Sequence, residues 1–122
     1  MKLLMCSLAV AVVLLAACGG SGSGSAQPAG STQVTMTEYK FAPATLSATH
    51  GKVVFWLVNS GSMAHNMIIR DQSKTRVAGS ELVSAGDSKV FTVDNIPAGT
   101  YTYFCDQPGH EAQGMIGTLT IT

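Results

Sequence analysis

The chain is 122 residues long, with seven Lys and Arg against seven Asp and Glu and a formal net charge of zero. Such a length holds one domain with short appendages. The charge balance leaves no basic patch for nucleic acid and no strong field to steer a partner of either sign.

The first element is an apolar run. After Met1 and Lys2, the fifteen residues Leu3 to Ala17 carry no charge. A spanning helix needs about 20 apolar residues, so this run suits a secretory signal better than a membrane anchor. It ends in Leu15-Ala16-Ala17-Cys18, which resembles the lipobox of bacterial lipoproteins, where the Cys becomes the acylated first residue. Residues 1–18 are then a lipoprotein signal peptide with Cys18 lipidated; the alternative is an ordinary signal peptide cleaved after a small residue. Under the lipoprotein reading Cys6 is discarded and Cys105 is the one thiol left in the exported domain, whose six Lys and Arg face seven Asp and Glu for a net charge of −1. A lone Cys forms no internal disulfide, and metal ligation is a good use for it.

Residues 19–31 read GGSGSGSAQPAGS, a composition that buries nothing and behaves as flexible coil. Thirteen such residues span about 20 Å end to end, so this segment is a tether.

Every strong structural signal lies in residues 32–122. Short runs rich in Val, Ile, Thr, Phe and Tyr recur between Gly, Pro, Asn and Asp: QVTMTEY, VVFWLVN, MIIR, KVFTVD, TYTYFC and MIGTLTIT. None keeps a helical period over three turns. Val53 to Val58 is apolar on both faces, as in a strand in the middle of a two-sheet packing, whereas Val90–Val93 and Thr118–Ile121 alternate as strands with one wet face do. The expectation is an all-β domain, a Greek-key sandwich of seven or eight strands.

Near the chain's end, Cys105-x4-His110-x4-Met115 places three soft or borderline donors in eleven residues, and His65 lies far upstream. Pro108 and Gly109 cannot continue a strand ladder, so the chain must fold back and return His110 to the end of the sandwich where Cys105 left it. Singly, each residue has an ordinary explanation: a buried Cys is often an inert small hydrophobe, a Met entering a strand is usually core, and a loop His is usually solvated. Together they form a thiolate, two imidazoles and a weak axial thioether, the donor set of one type 1, blue copper ion.

The same stretch resembles the cupredoxins, the small blue-copper family that includes plastocyanin, azurin and auracyanin. The resemblance covers nearly all of residues 32–122: Phe41-Ala42-Pro43, the apolar strand ending in Asn59, Ala64-His65-Asn66, and TYTYFCDQPGHEAQGMIGTLTI. It implies a cupredoxin-like fold, copper held by His65, Cys105, His110 and Met115, and Asn66 tying the His65 segment to the Cys105 loop. It also implies backbone N–H donors to the thiolate from Asn66 and Gln107; position 107 is not Pro, so both are available, and two donors imply a higher reduction potential than one. Met63 is read as part of an apolar rim, and His50 as a turn residue without a copper role.

Four ligands fill the coordination sphere and leave no position for a substrate, which implies an electron carrier and not an enzyme. The implied partners are a redox donor and acceptor, with His110 as the port, flanked by Pro108, Gly109 and Ala112, while Asp106 and Glu111 bias partner choice toward a basic surface. The protein is expected to be a monomer, to bind no nucleic acid, and to be exported and lipid-anchored to a bacterial membrane with its domain in the periplasm or outside the cell. The alternative function is copper buffering or delivery, although the chain lacks the Met or His run common in such proteins.

Overall fold

A computed structural model describes residues 25–122. The proposed signal segment with Cys18, and residues 19–24 of the linker, lie outside the described residues. Among those described there are nine strands: β1 Thr32–Thr37, β2 Lys40–Ala42, β3 Thr45–Ala48, β4 Gly51–Asn59, β5 Ile68–Arg70, β6 Arg76–Gly79, β7 Ser88–Ile96, β8 Gly99–Phe104 and β9 Ile116–Ile121. They form a four-stranded sheet in the order β2-β1-β4-β7 and a five-stranded sheet in the order β3-β9-β8-β5-β6. The chain changes sheet five times, the crossing pattern of a Greek-key sandwich.

The expected count of seven or eight falls short because KFA, TLSA and RVAG are short and poor in β-branched residues. Pairing decides them. β3 exists because Thr45–Ala48 lies parallel to Thr118–Ile121, and β6 because it closes a hairpin with β5.

β4 is an interior strand, with β1 parallel on one side and β7 antiparallel on the other. Its period-2 alternation turns Val53, Phe55 and Leu57 into the core, while Val54 and Val58 remain half-buried. Burying each such large apolar side chain contributes about 1.5–3 kcal/mol. The sheets are joined across the core by Phe41 of β2 and Tyr103 of β8, whose rings meet edge to face at 5.0 Å. Tyr101 donates its hydroxyl hydrogen bond to the carbonyl of Pro97, 2.8 Å away, and fixes the turn from β7 to β8. Tyr103 does the same across the sandwich, 2.7 Å to the carbonyl of Pro43.

These contacts set one end of the sandwich. Phe104 of β8 is in register with Ile116 of β9, and the ladder runs one step further, where the Cys105 N–H donates to the Met115 carbonyl at 3.2 Å. Two strand ends are thereby fixed side by side, with residues 106–114 closing over them.

Candidate metal centre

The loop from Asp106 to Gly114 is a succession of tight turns. The N–H of His110 donates to Gln107, that of Gln113 to Gly109 and His110, that of Gly114 to Glu111, and that of Met115 back to His110 at 3.1 Å. Gly109 and Gly114 adopt φ values of 80° and 107°, a region glycine enters without a Cβ penalty. The turns carry His110 back over the end of β8.

His65 arrives from the other side. It leaves β4 through a loop held by Asn59, a buried side chain whose Nδ2 donates to the carbonyls of Met63 and Val83 and whose Oδ1 accepts from the N–H of Gly61. An isolated antiparallel bridge with Val83, made of reciprocal backbone bonds of 3.1 and 2.8 Å, then fixes His65 itself. Asn66 clamps the segment to the Cys105 loop: its Nδ2 donates to Asp106 at 2.6 Å and its Oδ1 accepts from the Asp106 N–H at 3.1 Å.

Three donor atoms converge. Nδ1 of His65 and Nδ1 of His110 are 3.1 Å apart, and the Cys105 Sγ lies 3.9 Å from the first and 3.4 Å from the second. An ion bound trigonally to two imidazole nitrogens and a thiolate, with bonds of about 2.0–2.3 Å, spans donor separations of roughly 3.5–3.7 Å. The triangle is of that size, so the donor set fits one ion. His65 and Cys105 are fully buried and His110 is 3% exposed. Met115 is fully buried beside them, with its backbone bonded to both Cys105 and His110.

Electrostatics follow from that burial. Desolvation pushes the Cys105 thiol above its usual range, with Asp106 adding to the effect, and backbone N–H groups of Asn66 and Gln107 on the sulfur work against it. Desolvation also holds His110 below the ordinary histidine value, helped by neighbouring His65, while Glu38 opposes both. Both effects favour the neutral ring, the form whose lone pair can bind a metal.

His110, the expected port, lies just beneath the surface at this end of the sandwich, 3% exposed. Its ring is covered by Tyr39, edge-on at a centroid distance of 5.0 Å, while Pro108, Gly109 and Ala112, which flank it, are exposed. Tyr39 in turn donates to the Met63 sulfur at 3.9 Å, and Met63 is 44% exposed at the rim. Asp106 and Glu111 each have a partner within the domain. Asp106 accepts from Asn66, and Glu111 pairs with Arg70, whose guanidinium lies 4.3 Å from the centre of the Phe104 ring. His50 sits on the turn before β4, with Nδ1 2.9 Å from the Thr122 carbonyl, at the opposite end of β9 from Met115.

Sequence reading missed Glu38 and Tyr39, the two residues between β1 and β2. Glu38 Oε1 lies 3.1 Å from Nε2 of His65 and accepts from the backbone N–H groups of Ser62 and Met63 at 2.8 and 2.7 Å. The Met63 N–H is the chief reason its carboxyl sits below the usual carboxylate range. No local signal marks Glu38, an acidic residue in a polar stretch 27 positions before the histidine it meets.

Comparison with known proteins agrees with this geometry. A family model described as copper binding proteins of the plastocyanin/azurin family matches residues 28–122. Auracyanin-B of Chloroflexus aurantiacus is 44% identical over 46 residues, 38% of this chain, and that match spans only 20% of the relative's length. The solved structure of auracyanin B is similar with a TM-score of 0.69 at 26% identity, over 85% of this chain and 96% of that one. Auracyanin A, a "blue" copper protein of the same organism, shares the fold with a TM-score of 0.63 at 20% identity, over 76% of this chain and all of that one.

Proposed function

The chain belongs to the plastocyanin/azurin family of copper-binding proteins, and on that premise we propose that it is a small blue-copper carrier that passes single electrons between redox partners at a bacterial membrane. The observation that carries this reading is the buried triangle of His65, Cys105 and His110, closed by backbone bonds and flanked by buried Met115. Bound copper supplies a one-electron couple. His65, Cys105 and His110, with Met115 as a weak axial donor, would hold it.

The protein's own residues do the remainder. Asn66, Asn59 and the turns after Cys105 fix the donor positions before any metal arrives, so little rearrangement accompanies a change of charge. Burial keeps water off the sulfur. The N–H groups of Asn66 and Gln107 draw electron density from the thiolate and favour the reduced ion. Tyr39 and exposed Met63 cover the His110 side, where a partner would approach.

The carrier is exported, its domain in the periplasm or outside the cell, and tethered through acylated Cys18 and the Gly/Ser-rich segment that follows it. It works as a monomer with donor and acceptor redox proteins and catalyses no reaction of its own.

The test is the visible and EPR spectrum of residues 25–122 loaded with Cu(II), beside Cys105→Ser. An intense blue thiolate-to-copper band and a narrow hyperfine splitting, both lost in the variant, support the reading. A pale copper spectrum indifferent to the substitution turns it toward copper handling. Membrane fractionation of the full chain and its Cys18→Ala variant checks the tether: the variant should leave the membrane fraction.

A further inference from the structure

We propose that Glu38 is a positioning residue of the metal centre, which orients His65 and weights the site toward Cu(II) through a carboxylate–histidine–metal relay; this rests on the copper reading above. An ionised carboxylate only accepts hydrogen bonds, so the 3.1 Å contact of Oε1 with His65 Nε2 requires Nε2 to carry the proton. With the proton on Nε2, Nδ1 is the nitrogen left to offer a lone pair on the side of Cys105 Sγ and His110 Nδ1. That is the tautomer a metal at the triangle needs, and a carboxylate behind the ring makes its nitrogen the stronger donor.

The carboxylate is itself held in place. Oε1 accepts from the N–H groups of Ser62 and Met63, so one oxygen binds both the loop that delivers His65 and the ring of His65. Space for it comes from Gly61, where a Cβ would lie 2.5 and 2.8 Å from the two carboxylate oxygens. His65 is fully buried and the Glu38 side chain 28% exposed, so solvent screens the pair only in part. A negative charge on this ligand stabilises the doubly charged ion more than the singly charged one. Glu38 therefore opposes the Asn66 and Gln107 N–H groups on the thiolate, and the potential reflects both.

Two substitutions separate this from a merely structural clamp. Glu38→Gln keeps an acceptor but removes the charge; Gly61→Ala keeps the charge but displaces the carboxylate. In both, the Cu(II) to Cu(I) affinity ratio should fall about tenfold, a rise in potential of about 59 mV for a one-electron couple, with the blue band retained. In the 15N-labelled, metal-free wild type, long-range 1H–15N correlations should show His65 protonated at Nε2, and Gly61→Ala should lose that preference. Potentials of the variants within twofold of the wild type in affinity ratio, or a wild-type His65 protonated at Nδ1, would overturn the proposal. The second result needs no variant to fold. A wild type without the blue band would instead sink the copper reading and this inference with it, so the two failures are distinct.

Discussion

Cys105 shows how little a single residue decides alone. Its thiol is buried, and burial by itself would make it an inert apolar side chain. Two imidazole nitrogens within 4 Å and two backbone N–H donors make it a ligand in waiting. The Gln107 N–H gives a direct prediction: Gln107→Pro deletes that donor, leaves more charge on sulfur, and should lower the reduction potential while keeping the blue band. An unchanged or raised potential in cyclic voltammetry would contradict it. The loop side chains were legible in sequence because Cys105, His110 and Met115 are close along the chain, and Asn66 because it adjoins His65. Glu38 and Tyr39 were not, since nothing in Thr37-Glu38-Tyr39-Lys40 records which histidine each one meets.

At the level of elements, the strands rich in β-branched and aromatic residues declared themselves, the short β5 among them, and the short strands poor in such residues did not. β4, β7, β8 and β9 carry enough β-branched and aromatic residues to be read locally, whereas β2, β3 and β6 are strands only because a neighbour offers a ladder. Tyr103 of β8 couples the two sheets, and burial raises its phenol pKa from 10.0 to about 12. A raised folded-state value means that the contribution is complete below the unfolded value and is lost as pH rises through the folded one. Stability should therefore decline from about pH 10 to about pH 12, by at most about 2–3 kcal/mol from this group. Tyr103→Phe should flatten that alkaline limb in denaturant titrations, at a cost of about 1 kcal/mol near neutrality for the lost bond to Pro43. An alkaline limb as steep in the variant as in the wild type would assign it to other groups.

For the whole molecule, the site joins parts of the chain that close the sandwich: the β1–β2 turn, the loop after β4, and the segment between β8 and β9. A ligand that binds only this closed arrangement stabilises the fold by mass action, about 2.7 kcal/mol at a hundredfold excess over its Kd. Removing copper with a chelator should lower the Tm by about 10 °C or more, at the roughly 4–8 °C per kcal/mol typical of a domain this size. Calorimetry of the loaded and stripped forms measures this, and Cys105→Ser should show a much smaller difference. Equal melting points for the loaded and stripped wild type would mean that the metal adds nothing to closure.

The sequence by itself determined the class of the fold, the extent of the strand-rich region, and the identity of the four candidate ligands, because alternation, turn residues and donor chemistry are local properties that survive in one dimension. Only the tertiary structure decided which atoms of His65 and His110 face Cys105, that Tyr39 covers His110, and that Glu38 stands behind His65. Apart from the pairing of His110 with Cys105, those are relations between segments 27 to 71 residues apart. They depend on how two sheets pack and how three connections fold over one end, and side-chain packing across a sandwich leaves no periodic trace along the chain.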